Sequence, residues 1–175
     1  YKSAVVNFSD IYAMNGQPKQ ITLSLGISQR FCIEDLEEFY AGVRLACDIY
    51  GVDLVGGDTS ASRTGLTISI TCIGEGEPGK VVYRSGAKET DLICVSGDLG
   101  AAYMGLQLLE REKSVFKGEK DFAPDFSGKE YLLERQLKPE ARKDIIRMLA
   151  EAHVLPTSMM DVSDGLSSEL LHIAQ

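Results

Sequence analysis

The apolar positions change period twice within the first 50 residues, and this confines the chain to folds that mix helix with sheet. Ala4, Val5, Phe8, Ile11 and Tyr12 recur at helical spacing, so residues 1–14 predict a helix, closed by the turn signal Asn15-Gly16-Gln17-Pro18. The stretch QITLSLGI then alternates with period two and predicts a strand. From Glu34 to Tyr50 the helical period returns, with Leu36, Phe39, Tyr40, Val43 and Cys47 on one face and acids on the other. VDLVGGDTS and GLTISITCIG predict two further strands.

After GEGEPGK the texture changes, and a lobe boundary is expected near Glu77. VVYRSGAKETD leads to an apolar segment, LICVS, expected as a strand, then a glycine break and a helix over 99–110. Residues 113–129 are charged and broken by Gly and Pro, which predicts an exposed loop. Two helical stretches, near 129–136 and 139–152, precede TSMMDVSDGLSSELLHIA. The chain opens without Met in an apolar helical rhythm and stops inside another, so it is expected to be an internal piece of a longer protein.

Charge narrows the partners. With 26 acidic against 18 basic residues the net charge is -8, which repels phosphate backbones and anionic membranes and argues against a nucleic-acid or membrane partner. A small anionic ligand would need local cations or metal ions to offset that field. No apolar stretch reaches the roughly 18 residues of a membrane span, and no signal segment opens the chain. Cys32, Cys47, Cys72 and Cys94 form no C-x-x-C pair and read as reduced core residues of a cytosolic protein.

Several short motifs carry candidate chemistry. GEGEPG, residues 74–79, fits a dinucleotide-loop pattern, but Pro78 and two glutamates occupy it and no helix follows, so it reads as a plain turn. No phosphate-binding G-x-x-x-x-G-K-[ST] loop occurs. In VGGDTS, residues 55–60, two glycines let backbone approach a ligand while Asp58 and Thr59 offer hard oxygens; the same letters also make an ordinary turn. Asp10 sits among Phe8, Ile11, Tyr12 and Met14, either as a costly carboxylate in apolar surroundings or as an exposed helix-face acid. Arg84, beside Ser85-Gly86, is either a phosphate-holding fork or a surface cation.

DVSDGL, residues 161–166, poses the sharpest question, because it spends two aspartates at a helix start. Capping by Ser163 and a first-turn Asp164 would explain one of them through the helix dipole, worth roughly 0.3–1 kcal/mol. It would not explain both, nor Gly165 in a first turn. Asp10, Asp58, Asp161 and Asp164 together suggest a hard-cation site, since converging carboxylates repel unless a divalent ion such as Mg²⁺ neutralises them. His153 and His172, the only histidines, are expected on helices without metal-ligand partners, so histidine base catalysis is not expected.

Taken in order, VNFSDIYAMNGQP, GGDTS, RSGAK and MDVSDGL resemble the thiamine-monophosphate kinase family. Its superfamily also holds aminoimidazole ribonucleotide synthetase, selenophosphate synthetase and a hydrogenase maturation factor. The resemblance implies an α+β, two-lobed fold of mixed sheets flanked by helices, incomplete at both ends of this chain. Residues 1–77 would be the remnant of an N-terminal ATP- and metal-binding dimerisation lobe, and 78–175 the first part of a C-terminal lobe. It implies Mg²⁺- and ATP-dependent phosphorylation of thiamine monophosphate to thiamine diphosphate by a cytoplasmic homodimer. Asp10, Asp58, Asp161 and Asp164 would be metal ligands, and Gly57, Arg84, Ser163 and Tyr40 nucleotide contacts. No catalytic residue is expected beyond metal and phosphate positioning, and the residues that select thiamine are expected outside residues 1–175. The rival readings are another ATP-using superfamily member and a non-catalytic nucleotide-binding fragment.

Overall fold

The computed structural model describes residues 1–115 and 124–175. Two compact units account for them: Tyr1–Leu92 with Ala141–Gln175, and Ile93–Glu140.

In the larger unit, helix α1 (Lys2–Tyr12) leads to strand β1 (Gln17–Ile27), helix α2 (Ile33–Tyr50), and strands β2 (Asp53–Ala61) and β3 (Leu66–Glu75). β1 is central, in the order β2-β1-β3. It pairs parallel with β2, as the intervening α2 crossover requires, and antiparallel with β3. The alternation predicted for β1 sends Ile21, Leu23 and Leu25 into the core beside Val5, Phe8 and Val43, the largest fully buried side chains. Removing that apolar surface from water, at roughly 25 cal/mol per Å², is what holds the two helices to the sheet.

Local chemistry sets the ends of these elements. Asn15 adopts φ 57 after α1, and its side-chain amide donates to the Lys80 carbonyl at 2.9 Å, so the predicted turn is also a long-range tie. Asp35 closes the start of α2 by accepting from the Cys32 N–H at 2.9 Å, and Gly51 ends it with φ 69. Near the far end of α2, the Tyr50 hydroxyl accepts from the Ala141 N–H at 2.8 Å and the Lys143 ammonium donates to the Ile49 carbonyl at 2.7 Å. This fastens residues 141–143.

The smaller unit contains helices α3 (Ala101–Val115) and α4 (Glu130–Leu137). They meet so closely at Gly105 that a Cβ there would lie 2.1 Å from the Leu132 carbonyl oxygen. Tyr131 donates its hydroxyl to Asp98 at 2.7 Å, and Arg135 pairs with the same carboxylate at 3.4 Å. Helices α5 (Lys143–Glu151) and α6 (Leu166–Ile173) belong to the larger unit.

Several expectations need correction. LICVS is not a strand: Leu92 is 91% exposed and Ile93 73%, and no described strand pairs with them. The helix expected over 99–110 runs to Val115, which takes the first residues of the expected 113–129 loop. Residues 116–123 of that loop lie outside the described residues. Cys32 and Cys94 are exposed rather than core, and all four cysteines are free. His153 follows α5 with φ 54 instead of lying within a helix.

Candidate functional site

Asp10 lies in the last turn of α1 and Asp161 ahead of α6, and the fold brings their carboxyl groups together. The Asp10 carboxyl is pushed above the usual carboxylate range, first by desolvation, then by the Asp161 charge and by a hydrogen bond shared with it. Two carboxylates this close favour a proton or a cation between them, which is the chemistry of a hard-cation donor pair. On the inner side Asp10 also faces Cys72 of β3, whose thiol is pushed up to about 11, chiefly by burial.

The 161–164 loop is built differently from the expected cap. Ser163 donates its hydroxyl to Asp161 rather than to the helix, and Gly165, not Ser163, stands at the N-cap of α6. Asp164 therefore precedes the helix instead of lying in its first turn. Its backbone N–H is taken by Glu169 Oε1 at 3.1 Å, and Glu169 is only 4% exposed. The sequence reading missed Glu169. The signal available was an acid in the first turn of the helix, where a carboxylate can reach back to free backbone amides.

Arg84 reaches this neighbourhood through its backbone. The Tyr83 carbonyl accepts from Met159 N–H at 3.1 Å and the Arg84 carbonyl from the Ser158 hydroxyl at 2.7 Å. Thr157 donates to Asp91 at 2.6 Å. Gly86 has φ 132, and a Cβ on it would lie 2.7 Å from the Thr157 oxygen, so only glycine lets RSGAK run this close to the approach to Asp161.

Gly57 and Asp58 stand on β2, where a cavity of about 460 Å³ is lined by them together with Leu23 of β1 and Tyr40 of α2. A Cβ on Gly57 would lie 1.8 Å from the Leu23 carbonyl oxygen, which explains the second glycine of VGGDTS by strand packing. The first glycine, Gly56, has nothing within 4 Å and faces the open cavity. The fold thus assembles the candidates in parts: Asp10 with Asp161 and Ser163, Arg84 tied to the same approach, and Tyr40, Gly57 and Asp58 around the cavity. Among the described residues, no three or more His, Cys, Asp or Glu side chains close into metal-binding geometry.

Residues 1–75, the stretch that carries Asp10, Tyr40, Gly57 and Asp58, match the N-terminal domain of AIR synthase related proteins. Over its whole length the chain is similar to thiamine-monophosphate kinases: it is 36% identical to the enzyme of that name from Bacillus subtilis (strain 168) over 177 residues, covering 100% of this chain and 51% of the relative. The structure of AaThiL complexed with AMPPCP and TMP is 35% identical and superposes with a TM-score of 0.83, covering 99% of this chain and 52% of that one. A hydrogenase maturation protein, HypE, at 21% identity and a TM-score of 0.73, shares the fold. The chain spans about half the length of the curated relatives it matches.

Proposed function

We propose that the full-length protein transfers the terminal phosphoryl group of ATP to thiamine monophosphate, giving thiamine diphosphate, in a Mg²⁺-dependent reaction. The observation that carries this reading is similarity to the kinases along the entire chain. Binding of AMPPCP and TMP by AaThiL supports the choice of substrates.

The donor chemistry supports the metal. Asp10 and Asp161 share a crowded negative site, and Asp58 on β2 and Asp164 in the 161–164 loop are the further carboxylates of the candidate set. Bound there, Mg²⁺ would supply charge neutralisation for the phosphate oxygens. On this reading Asp10, Asp58, Asp161 and Asp164 are its ligands. Tyr40 and Gly57 border the nucleotide at the cavity, while Arg84 and Ser163 offer donors to phosphate. The acceptor is a phosphate monoester whose second pKa lies near ~6, so its attacking oxygen is ionised at neutral pH and needs no general base. What remains for the protein is in-line positioning and charge stabilisation.

Residues 1–77 are read as part of an N-terminal lobe that pairs in a homodimer, and 78–175 as the start of a second lobe. The exposure of Val55 on β2 and Ile73 on β3, 52% and 53%, supports a partner for the sheet. Among the described residues no helix is long and apolar enough to cross a membrane, and a cytoplasmic location is part of the proposal. The test is ADP formation by the full-length gene product. It should depend on thiamine monophosphate, stop when EDTA removes divalent ions and resume with Mg²⁺. Turnover indifferent to EDTA would contradict the metal reading.

A further inference from the structure

We infer that Glu169 is a positioning residue that sets the direction of the 161–164 loop by holding the Asp164 amide. The inference rests on the metal reading above. Glutamate is almost never fully buried unless its charge is paired or hydrogen-bonded, yet Glu169 is 4% exposed, and among the described residues its Oε2 is out of water without a hydrogen-bond partner. Its other oxygen, Oε1, accepts the Asp164 N–H at 3.1 Å. That amide is the largest influence holding the Glu169 carboxyl below its usual range.

The loop has little else to hold it. Val162, Ser163 and Asp164 are exposed, so packing does not fix them, and the Ser163 hydroxyl is turned back onto Asp161. Gly165, which follows, has no neighbour within 4 Å of a would-be Cβ, so the chain there is not wedged by contact. Glu169 is anchored on α6 and buried, whereas the loop it grips is exposed and unpacked. A small displacement of such a loop moves Asp161 and Ser163 together, and errors near 1 Å in positioning groups can cost about 10²-fold in rate.

The role needs an acceptor oxygen at this place and not a negative charge. E169Q keeps an acceptor at the same reach; E169M keeps length and apolar volume but offers none of comparable strength. Mn²⁺ serves as the metal probe, titrated into full-length protein and followed by water proton relaxation, beside thiamine-monophosphate-dependent ADP formation. The expected result is a loss of Mn²⁺ affinity of about 10-fold or more in E169M, with E169Q much closer to wild type. Equal binding by wild type and both variants would reduce Glu169 to a helix cap, and equal loss in both would make its charge the active feature; either overturns the inference. Wild type that binds no Mn²⁺ would overturn the metal reading and this inference together. Should E169M fail to fold, hydrogen exchange on wild type decides: the Asp164 amide is expected to exchange more slowly than the Val162 amide, and equal rates would overturn the inference.

Discussion

Asp161 faces Asp10 from the far end of the chain, and its charge adds to desolvation in raising the proton affinity of the Asp10 carboxyl. An acidic pair held together by helix α1 on one side and a short loop on the other is unfavourable alone and favourable around a cation. Asp161→Asn should therefore lower Mg²⁺-dependent turnover of the full-length protein by about 100-fold or more. Because the substitution removes one of two repelling charges, the melting temperature without metal should hold or rise, while the gain on adding Mg²⁺ seen in wild type should vanish. Thermal melts with and without Mg²⁺ check both statements.

Gly56 and Gly57 are adjacent and should respond in opposite ways. Gly57→Ala forces a Cβ into the Leu23 carbonyl and should cost about 1–3 kcal/mol, visible in urea unfolding. Gly56→Ala meets nothing within 4 Å, so folding should be spared, and any loss should appear in ATP binding at the cavity. Equal destabilisation by both would contradict the pairing of Gly57 with Leu23 between β2 and β1.

Tyr50→Phe removes the acceptor of the Ala141 amide while leaving the ring beneath Lys143, whose ammonium lies 5.0 Å from its centroid. The expected cost is about 1–3 kcal/mol, the penalty of leaving a part-buried donor without its partner. Chemical denaturation measures it.

The cysteines should separate by reactivity. Cys94 is exposed, whereas Cys47 is buried and Cys72 has its thiol pushed up to about 11. Since the thiolate is the nucleophile, iodoacetamide at pH 8 should label Cys94 first and Cys47 and Cys72 last, as read by peptide mass spectrometry. Early labelling of Cys72 would contradict its place between α1 and the sheet.

The helix–strand–helix–strand–strand order of residues 1–75 was legible because each element is amphipathic, and its period is fixed by burial on one side. LICVS failed for the complementary reason. An apolar run predicts a strand only if a neighbouring strand exists, and none among the described residues pairs with 92–96. The site was legible as residue types in order, but not as contacts. Nothing local marks Asp10 as the neighbour of Asp161, and spacing alone does not show that Ser163 turns away from α6 toward Asp161 while Glu169 holds the next amide. Gly57 was singled out for ligand approach, and the fold adds a packing reason that spacing alone does not carry.

The most direct measurement of the central claim is transfer of label from γ-³²P-ATP by the full-length gene product, offered thiamine, thiamine monophosphate, the aminoimidazole precursor or selenide in separate reactions with Mg²⁺. The account predicts labelled thiamine diphosphate from thiamine monophosphate and negligible turnover with the other three. Phosphoryl transfer only with another acceptor, or ATP binding with no transfer to any of them, would contradict it.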